Sequence, residues 1–344
     1  MPLQRPFGSF FHATGAIGFD PQKGIYHFWQ SRAHRKRSPH AAKYIQEGKP
    51  WWSYLFSWKP TSFAWWTAFS FTFGSVIFVV VAAIAIAVQN ASEQLDLFLG
   101  NFALVGALIF VVGGTCQVLE TYQAPITIVD SEVFPSIKTV IAQAPMFAGF
   151  IAEPYLAKGN EIHSRSKLAK AISREQEAKE ARGKTGFDII FDKNLSTKTR
   201  LIMIFGQWRR IDVSLAWIQW VGTLLFVVNS VGTSGDSSTT GGPSPNYGRF
   251  LAVTVVPDIV ASITFVIAGW LQMVESSHKW YGGVAFSNIG WEAGVNNTLG
   301  GLGFLGNAVA YYLLPSSFVS NLILLIGSAF FLIGSAIAWV EQCL

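Results

Sequence analysis

Residues 106–120, GALIFVVGGTCQVLE, return in altered form as residues 261–275, ASITFVIAGWLQMVE, and again as residues 327–341, GSAFFLIGSAIAWVE. Small residues, a Phe and a closing Glu keep the same offsets in each: Gly106, Phe110, Gly113, Gly114 and Glu120; Ala261, Phe265, Ala268, Gly269 and Glu275; Gly327, Phe331, Gly334, Ser335 and Glu341. The first small residue, the second and the Glu are seven apart, so they share one stripe of a helix, and small residues at that period let neighbouring backbones approach closely in a left-handed bundle. Each stretch follows another apolar run that carries a Gly and, four residues later, a Phe: Gly74 and Phe78, Gly222 and Phe226, Gly300 and Phe304. The pattern predicts three helical hairpins packed through their small-residue faces, with Phe110, Phe265 and Phe331 filling the space beside them.

Working outward, the chain is 51% hydrophobic and only 13% charged, whereas a soluble domain carries roughly 25% charged residues. That excludes an ordinary soluble enzyme. About 20 apolar residues are needed to cross about 30 Å of hydrocarbon as a helix, and such runs lie near residues 63–88, 98–119, 213–232, 250–274, 289–313 and 318–340. A β-barrel would show short segments of alternating polarity instead. The expected fold is all-α, a polytopic bundle of six transmembrane helices in three hairpins. Its parts are a basic and aromatic segment, 1–62; a first hairpin, 63–120; a long loop, 121–212; and two further hairpins, 213–344. No cleavable signal pattern precedes the first apolar run, so insertion is expected to rely on that helix. Cys116 and Cys343 are far apart and give neither a disulfide framework nor a zinc spacing.

Charge sets the expected orientation. Of the 25 Lys and Arg, nine precede the first span, fourteen lie between the second and third, Lys279 lies between the fourth and fifth, and Arg249 alone falls on the other side. Basic loops stay in the cytosol during insertion, so the N-terminus, the long loop and the C-terminus are expected inside. Trp51, Trp52, Trp58, Trp65, Trp66, Trp208, Trp217, Trp220, Trp270, Trp280, Trp291 and Trp339 gather on that same side and read as an aromatic belt in the headgroup layer.

Glu120, Glu275 and Glu341 would then end their stripes at the cytosolic side, where the negative end of the helix dipole opposes them. They call for cationic or hydrogen-bonding partners, for which Arg209, Arg210 and Lys279 are the candidates, and Gln117 and Gln272 lie one turn before their Glu on the same face. Two readings stand: a clamp tying each hairpin to a basic rim, or a ring admitting ions or protons.

Ionisable groups inside the membrane are costly and mark candidate sites. Asp258 lies about eight residues into the fourth span, directly after Pro257, where the other two even-numbered spans have Ala103 and Leu324. The fifth span carries Glu292, Asn296, Gly300, Gly303 and Asn307 at spacings that align them on one face. Because the fourth and fifth spans run in opposite directions, Asp258 and Asn307 should fall at similar depth and can hydrogen-bond. Either this is polar glue between helices, or Asp258 is the titrating group of a proton or cation path along the fifth span.

The run Phe330-Phe331-Leu332-Ile333-Gly334-Ser335, with looser copies at 110–114 and 265–269, resembles the Phe-x-x-Gly-Ser signature of YrhK-like membrane domains. The first two copies have Gly114 and Gly269 in place of the Ser. The resemblance implies architecture alone, a chain grown by repeating a two-helix unit, and carries over no functional residue.

The cluster Arg32, Arg35, Lys36 and Arg37, flanked by Phe7, Phe10, Phe11, Trp51 and Trp52, fits docking on anionic lipid headgroups at about 1 kcal/mol per basic residue better than nucleic-acid binding. Ser38, beside Arg37, is a candidate phosphorylation site that would weaken such docking. Residues 133–156, apolar but broken by Pro135, Pro145 and Pro154, read as interfacial or re-entrant, and residues 161–184 as a solvated helix. The six His, at 12, 27, 34, 40, 163 and 278, lie outside the spans, which disfavours haem or a buried metal site. No cofactor and no enzymatic activity are expected. The function is read as a small-solute or ion pathway, with a membrane scaffold or assembly subunit, as a homo-oligomer or in a larger complex, as the alternative. If the orientation is right, a Ser237→Cys variant is labelled from outside by an impermeant thiol reagent and a Ser173→Cys variant is not; the reverse pattern overturns it.

Overall fold

The computed structural model describes residues 15–20, 25–30, 58–88, 93–123, 210–235, 247–277, 279, 281, 283–286, 288–313 and 317–343. The basic cluster at 32–37, the apolar stretch at 133–156 and the charged stretch at 161–184 lie outside them. The chain divides into two compact units, residues 1–37 with 121–210, and residues 38–120 with 211–344.

In the first unit, β1 (Gly15–Asp20) and β2 (Ile25–Gln30) form an antiparallel pair with Gly15 opposite Gln30 and Asp20 opposite Ile25. An all-α expectation has no place for this hairpin. Its signal is local and uneven: Ile25–Gln30 is rich in aromatic and β-branched residues, Gly15–Asp20 has only Ile17 and Phe19, and the connection between them contains Pro21 and Gly24. In the same unit the Arg210 guanidinium donates to the Thr121 carbonyl at 3.3 Å.

The regular structure among the described residues of the second unit is all helical. Its helices are α1 (Phe63–Ala87), α2 (Glu93–Gln123, whose final residues belong to the first unit), α3 (Ile211–Gly235), α4, α5 (Ile289–Leu313) and α6 (Ser317–Cys343). α4 starts as a turn at Tyr247–Phe250, passes through a π-helical stretch, Leu251–Val255, and continues as Val256–Ser277. The π stretch immediately precedes Pro257, which lacks the N–H that regular helical bonding requires. Five of the six helices are long and apolar enough to cross a membrane; α5, with Glu292, Asn296, Asn297 and Asn307, falls short on composition alone. The chain is thus an integral membrane protein with several spans.

Local chemistry fixes the helix ends. Ser62 caps α1 through its hydroxyl, which accepts from the Trp65 N–H at 3.3 Å. Asn288 caps α5, accepting from Gly290 N at 3.0 Å, while its amide donates to the Ser276 carbonyl at 3.0 Å and so ties the start of α5 to the end of α4. Lys59 donates to the Gln342 carbonyl at 2.9 Å, placing a cation where the last turn of α6 has orphan carbonyls.

The six helices close into a ring. Each packs on the next in sequence, and α6 packs back on α1. Glycines set the separations. A Cβ at Gly74 would fall 3.2 Å from the Gly106 carbonyl, one at Gly222 3.4 Å from that of Ala261, and one at Gly300 3.0 Å from that of Gly327. The adjacent small residues of the even-numbered helices face opposite neighbours: Gly113 meets Ser70 and Phe71 of α1, whereas Gly114 meets Thr223 and Trp220 of α3. Gly269 likewise meets Thr298 of α5, and Gly303 lies backbone to backbone with Gly327.

Outward faces are apolar on every helix, including Phe73, Val112, Val228, Ile263 and Ile333, and on α5 Leu299, Leu302 and Val309. One aromatic expectation is corrected. Trp65, read as an interfacial anchor, is 2% exposed; it stacks on Phe69 at 5.0 Å and meets the edge of Trp339 at 5.9 Å, sealing α1 against α6. An indole that has a helix neighbour at its own depth gains more from packing than from the headgroup layer. Trp58, 67% exposed, and Trp66 remain at the surface as a belt requires. Substituting Gly303→Leu should cost about 1–3 kcal/mol through overpacking and lower the folded yield, whereas Val112→Leu on the outward face should leave it unchanged; equal yields would mean that the glycine face is not an interface.

Candidate functional site

The core of the ring is two triangles of phenylalanine. Phe78, Phe226 and Phe304, from α1, α3 and α5, have ring centroids 5.2, 5.7 and 6.4 Å apart. Phe110, Phe265 and Phe331, from α2, α4 and α6, have theirs 6.3, 5.5 and 5.6 Å apart. The triangles contact one another, Phe78 and Phe110 at 5.3 Å and Phe304 and Phe331 at 5.7 Å, and all six rings are buried.

On the Arg249 side of this plug lies a cavity of about 170 Å³ to which all six helices contribute. Its floor is the triangle Phe78, Phe226 and Phe304. Its walls are unequal: α1 and α2 supply Val81 and Ala103, whereas α3 supplies Asn229, Ser230 and Thr233, α4 Thr254 and Asp258, α5 Asn307 and Tyr311, and α6 Ser320 and Asn321. Among the described residues no Lys, Arg or His is in the lining. The spacing explains the convergence, because Asn229 and Asn307 each follow a floor Phe by three residues and so lie on the same face of their helices. Asp258 precedes Phe265 by seven residues, and Thr254 and Ser320 precede Phe265 and Phe331 by eleven.

Asp258 is half-buried and hydrogen-bonded to the Asn229 side chain. Asn229 Oδ1 lies 3.1 Å from the Thr233 hydroxyl, which can donate to it, so the Asn229 amide nitrogen is the group left to donate to the carboxylate. The Ser320 hydroxyl donates to Asn307 Oδ1 at 2.7 Å. Thr254 lines the cavity and is 4% exposed; its hydroxyl oxygen is buried against Gly232 of α3, with no hydrogen-bond partner. It sits in the π-helical stretch, a distortion frequent at functional sites.

Asp258 and Asn307 do come to one cavity. The direct bond expected between them is replaced by two bonds within consecutive helix pairs, Asp258 with Asn229 across α3 and α4, and Asn307 with Ser320 across α5 and α6. Each pair lies toward the end of the ring at which its two helices follow one another in sequence, α3 into α4 and α5 into α6. Glu292 and Asn296 are elsewhere: Asn296 donates to the Glu292 carbonyl one turn back at 2.8 Å, and neither lines the cavity. Between them and Asn307, the expected polar stripe is taken up by Gly300 and Gly303 packed on Phe331 and Gly327 of α6. Asn297, not singled out by that stripe, is the residue that reaches across, donating to Gln272 Oε1 at 3.1 Å.

At the opposite end of the ring Glu120, Glu275 and Glu341 are 4%, 1% and 7% exposed, so all three stripes end in a buried carboxylate. Of the basic residues expected beside them, Lys279 lies over the Tyr281 ring at 5.8 Å, Arg210 donates to Thr121 within the first unit, and Arg209 is outside the described residues. Asn229, Thr254 and Ser320 were not anticipated, although counting from the repeated Phe finds all three.

The chain matches no family model, and no curated protein or solved structure is similar to it at a significant level. Asp258→Ala and Asn229→Ala, measured singly and together by unfolding in a bilayer-like medium, should couple by about 0.6 kcal/mol and by no more than about 1.7. Asp258→Ala with Asn307→Ala should be close to additive. The opposite ranking would restore the direct Asp258–Asn307 bond.

Proposed function

We propose that the chain is a six-span membrane protein of three repeated hairpins, with both termini cytosolic, that forms a gated, non-enzymatic pathway for a small polar solute or cation. The observation that carries this reading is the cavity itself, a carboxylate-bearing chamber at the centre of the ring, stopped by six phenylalanines drawn one pair from each hairpin. Chambers with a few convergent polar groups over an apolar floor are the usual form of small-molecule sites.

The repeat is supported by the same glycine-to-carbonyl approach in all three hairpins and by the two phenylalanine triangles. The resemblance of residues 330–335 to YrhK-like domains fits growth by duplication of a two-helix unit. α5 serves as the sixth span: at 25 residues it is about 37 Å long, its lipid-side face is Leu299, Leu302 and Val309, and Asn297 and Asn307 bond to neighbouring helices while Asn296 bonds a carbonyl of its own helix. In this orientation the Asp258 chamber faces outward, Glu120, Glu275 and Glu341 face the cytosol, and the basic N-terminal segment docks on anionic headgroups.

The phenylalanine plug is the closed gate. A second reading, a scaffold or assembly subunit, is favoured by one observation, that the six rings leave the core close-packed. Flux into reconstituted vesicles separates the two. The native protein should pass small cations under a gradient, Asp258→Asn should reduce that flux at least about tenfold, and Phe265→Ala should raise it. A protein that passes no solute under any gradient, with or without Phe265→Ala, belongs to the scaffold reading.

A further inference from the structure

The chamber's chemistry narrows what it can hold. Among the described residues of the lining Asp258 is the single charged side chain, and every other polar group there is a neutral amide or hydroxyl. An anion would meet a carboxylate and no cation to offset it. A divalent metal would find one carboxylate where its hard, close coordination favours several, and among the described residues no cluster of three His, Cys, Asp or Glu exists. A bare alkali ion leaves the space and the aromatic floor unexplained: about 170 Å³ holds several water-sized groups, and three phenylalanine faces offer neither oxygen nor charge to a metal ion that keeps its water.

We infer that this chamber is a binding site for a small protonated amine, from ammonium to a short alkylammonium, an inference that rests on reading the chamber as the pathway's solute site. The ammonium head brings several N–H donors and no acceptor, matching a lining with acceptors to spare. The Asp258 carboxylate neutralises the charge. Ser230 and Thr233 line the same wall and add hydroxyl groups beside the carboxylate. Asn307 Oδ1, which already takes one hydrogen bond from Ser320, has a lone pair left for a second N–H. The alkyl end lies on the floor of Phe78, Phe226 and Phe304, where a desolvated cation also gains attraction from the ring faces. The Asn229 amide, held by Thr233 and directed at Asp258, keeps the carboxylate in place for the head group.

The full chain, purified in detergent, is titrated with methylammonium chloride while its unfolding temperature is followed, with sodium, potassium and tetraethylammonium chlorides and urea as comparisons at matched ionic strength. Methylammonium should raise the unfolding temperature saturably, as a ligand specific to the folded state does, and the comparison solutes should not. Asp258→Asn should abolish the shift. Should that variant fail to fold, Asn307→Leu, which is close to Asn in volume, should still weaken binding by about tenfold. An equal shift from sodium, potassium or urea, or undiminished binding in Asn307→Leu, overturns the assignment. Saturable methylammonium binding without any vesicle flux upholds this site and removes the pathway, whereas flux of another solute with no methylammonium binding removes the site and keeps the pathway.

Discussion

Inside hydrocarbon, two helices gain no hydrophobic free energy by leaving lipid for each other, because lipid tails are as apolar as leucine. Association must come from contact distance, and the ring depends on backbones that approach closely enough for dispersion to add up. Gly303 against Gly327, Gly74 against Gly106 and Gly300 against Phe331 supply that approach. The phenylalanine triangles accompany it: large rings gather along the central axis, and each helix contributes one to the two triangles.

A ring of three similar hairpins would be symmetric and filled along its whole axis. The chamber exists because the hairpins differ above the plug. Where the first hairpin has Val81, Ala103 and Leu99, the second has Asn229, Asp258 and Thr254, and the third has Asn307, Leu324 and Ser320. Polar groups thus face one another across the α3–α6 side while the α1–α2 side stays apolar. Hydrogen bonds in the membrane are individually modest, so these polar groups contribute shape more than stability. The π-helical stretch before Pro257 belongs to the same departure, since it carries Thr254, a residue of the cavity lining.

Much of the architecture was legible because it is periodic. Seven-residue spacing of small residues, the recurring Phe and the length of apolar runs are properties of one helix at a time, and the helix positions agree with them. Asp258 was found because it breaks the repeat. What could not be read was pairing between helices: whether Asp258 meets Asn307 or Asn229 depends on rotations about helix axes that spacing does not encode. The stripe through Asn296 and Asn307 failed for a related reason, since two glycines in its middle mark a contact with a neighbour as readily as a line of polar access. Trp65 misled because an indole near a span end suits both a headgroup layer and a helix seam. The β1–β2 hairpin was passed over because its signal is short and lies in a segment read for charge.

The closure of α6 onto α1 joins residues far apart in the chain: the Lys59 side chain reaches the Gln342 carbonyl, a separation of 283 positions. Ribosomes add roughly 5–20 residues per second, so α1 waits tens of seconds in the bilayer before its permanent neighbour is made. During that wait the seam face of Trp65 and Phe69 is open to lipid or to chaperoning factors, and the half-built bundle is a curved wall instead of a ring. The chamber therefore comes into being late and all at once, when α6 supplies both the seam and the wall bearing Ser320. An arrested or shortened chain would hold most of its helices in place yet enclose nothing.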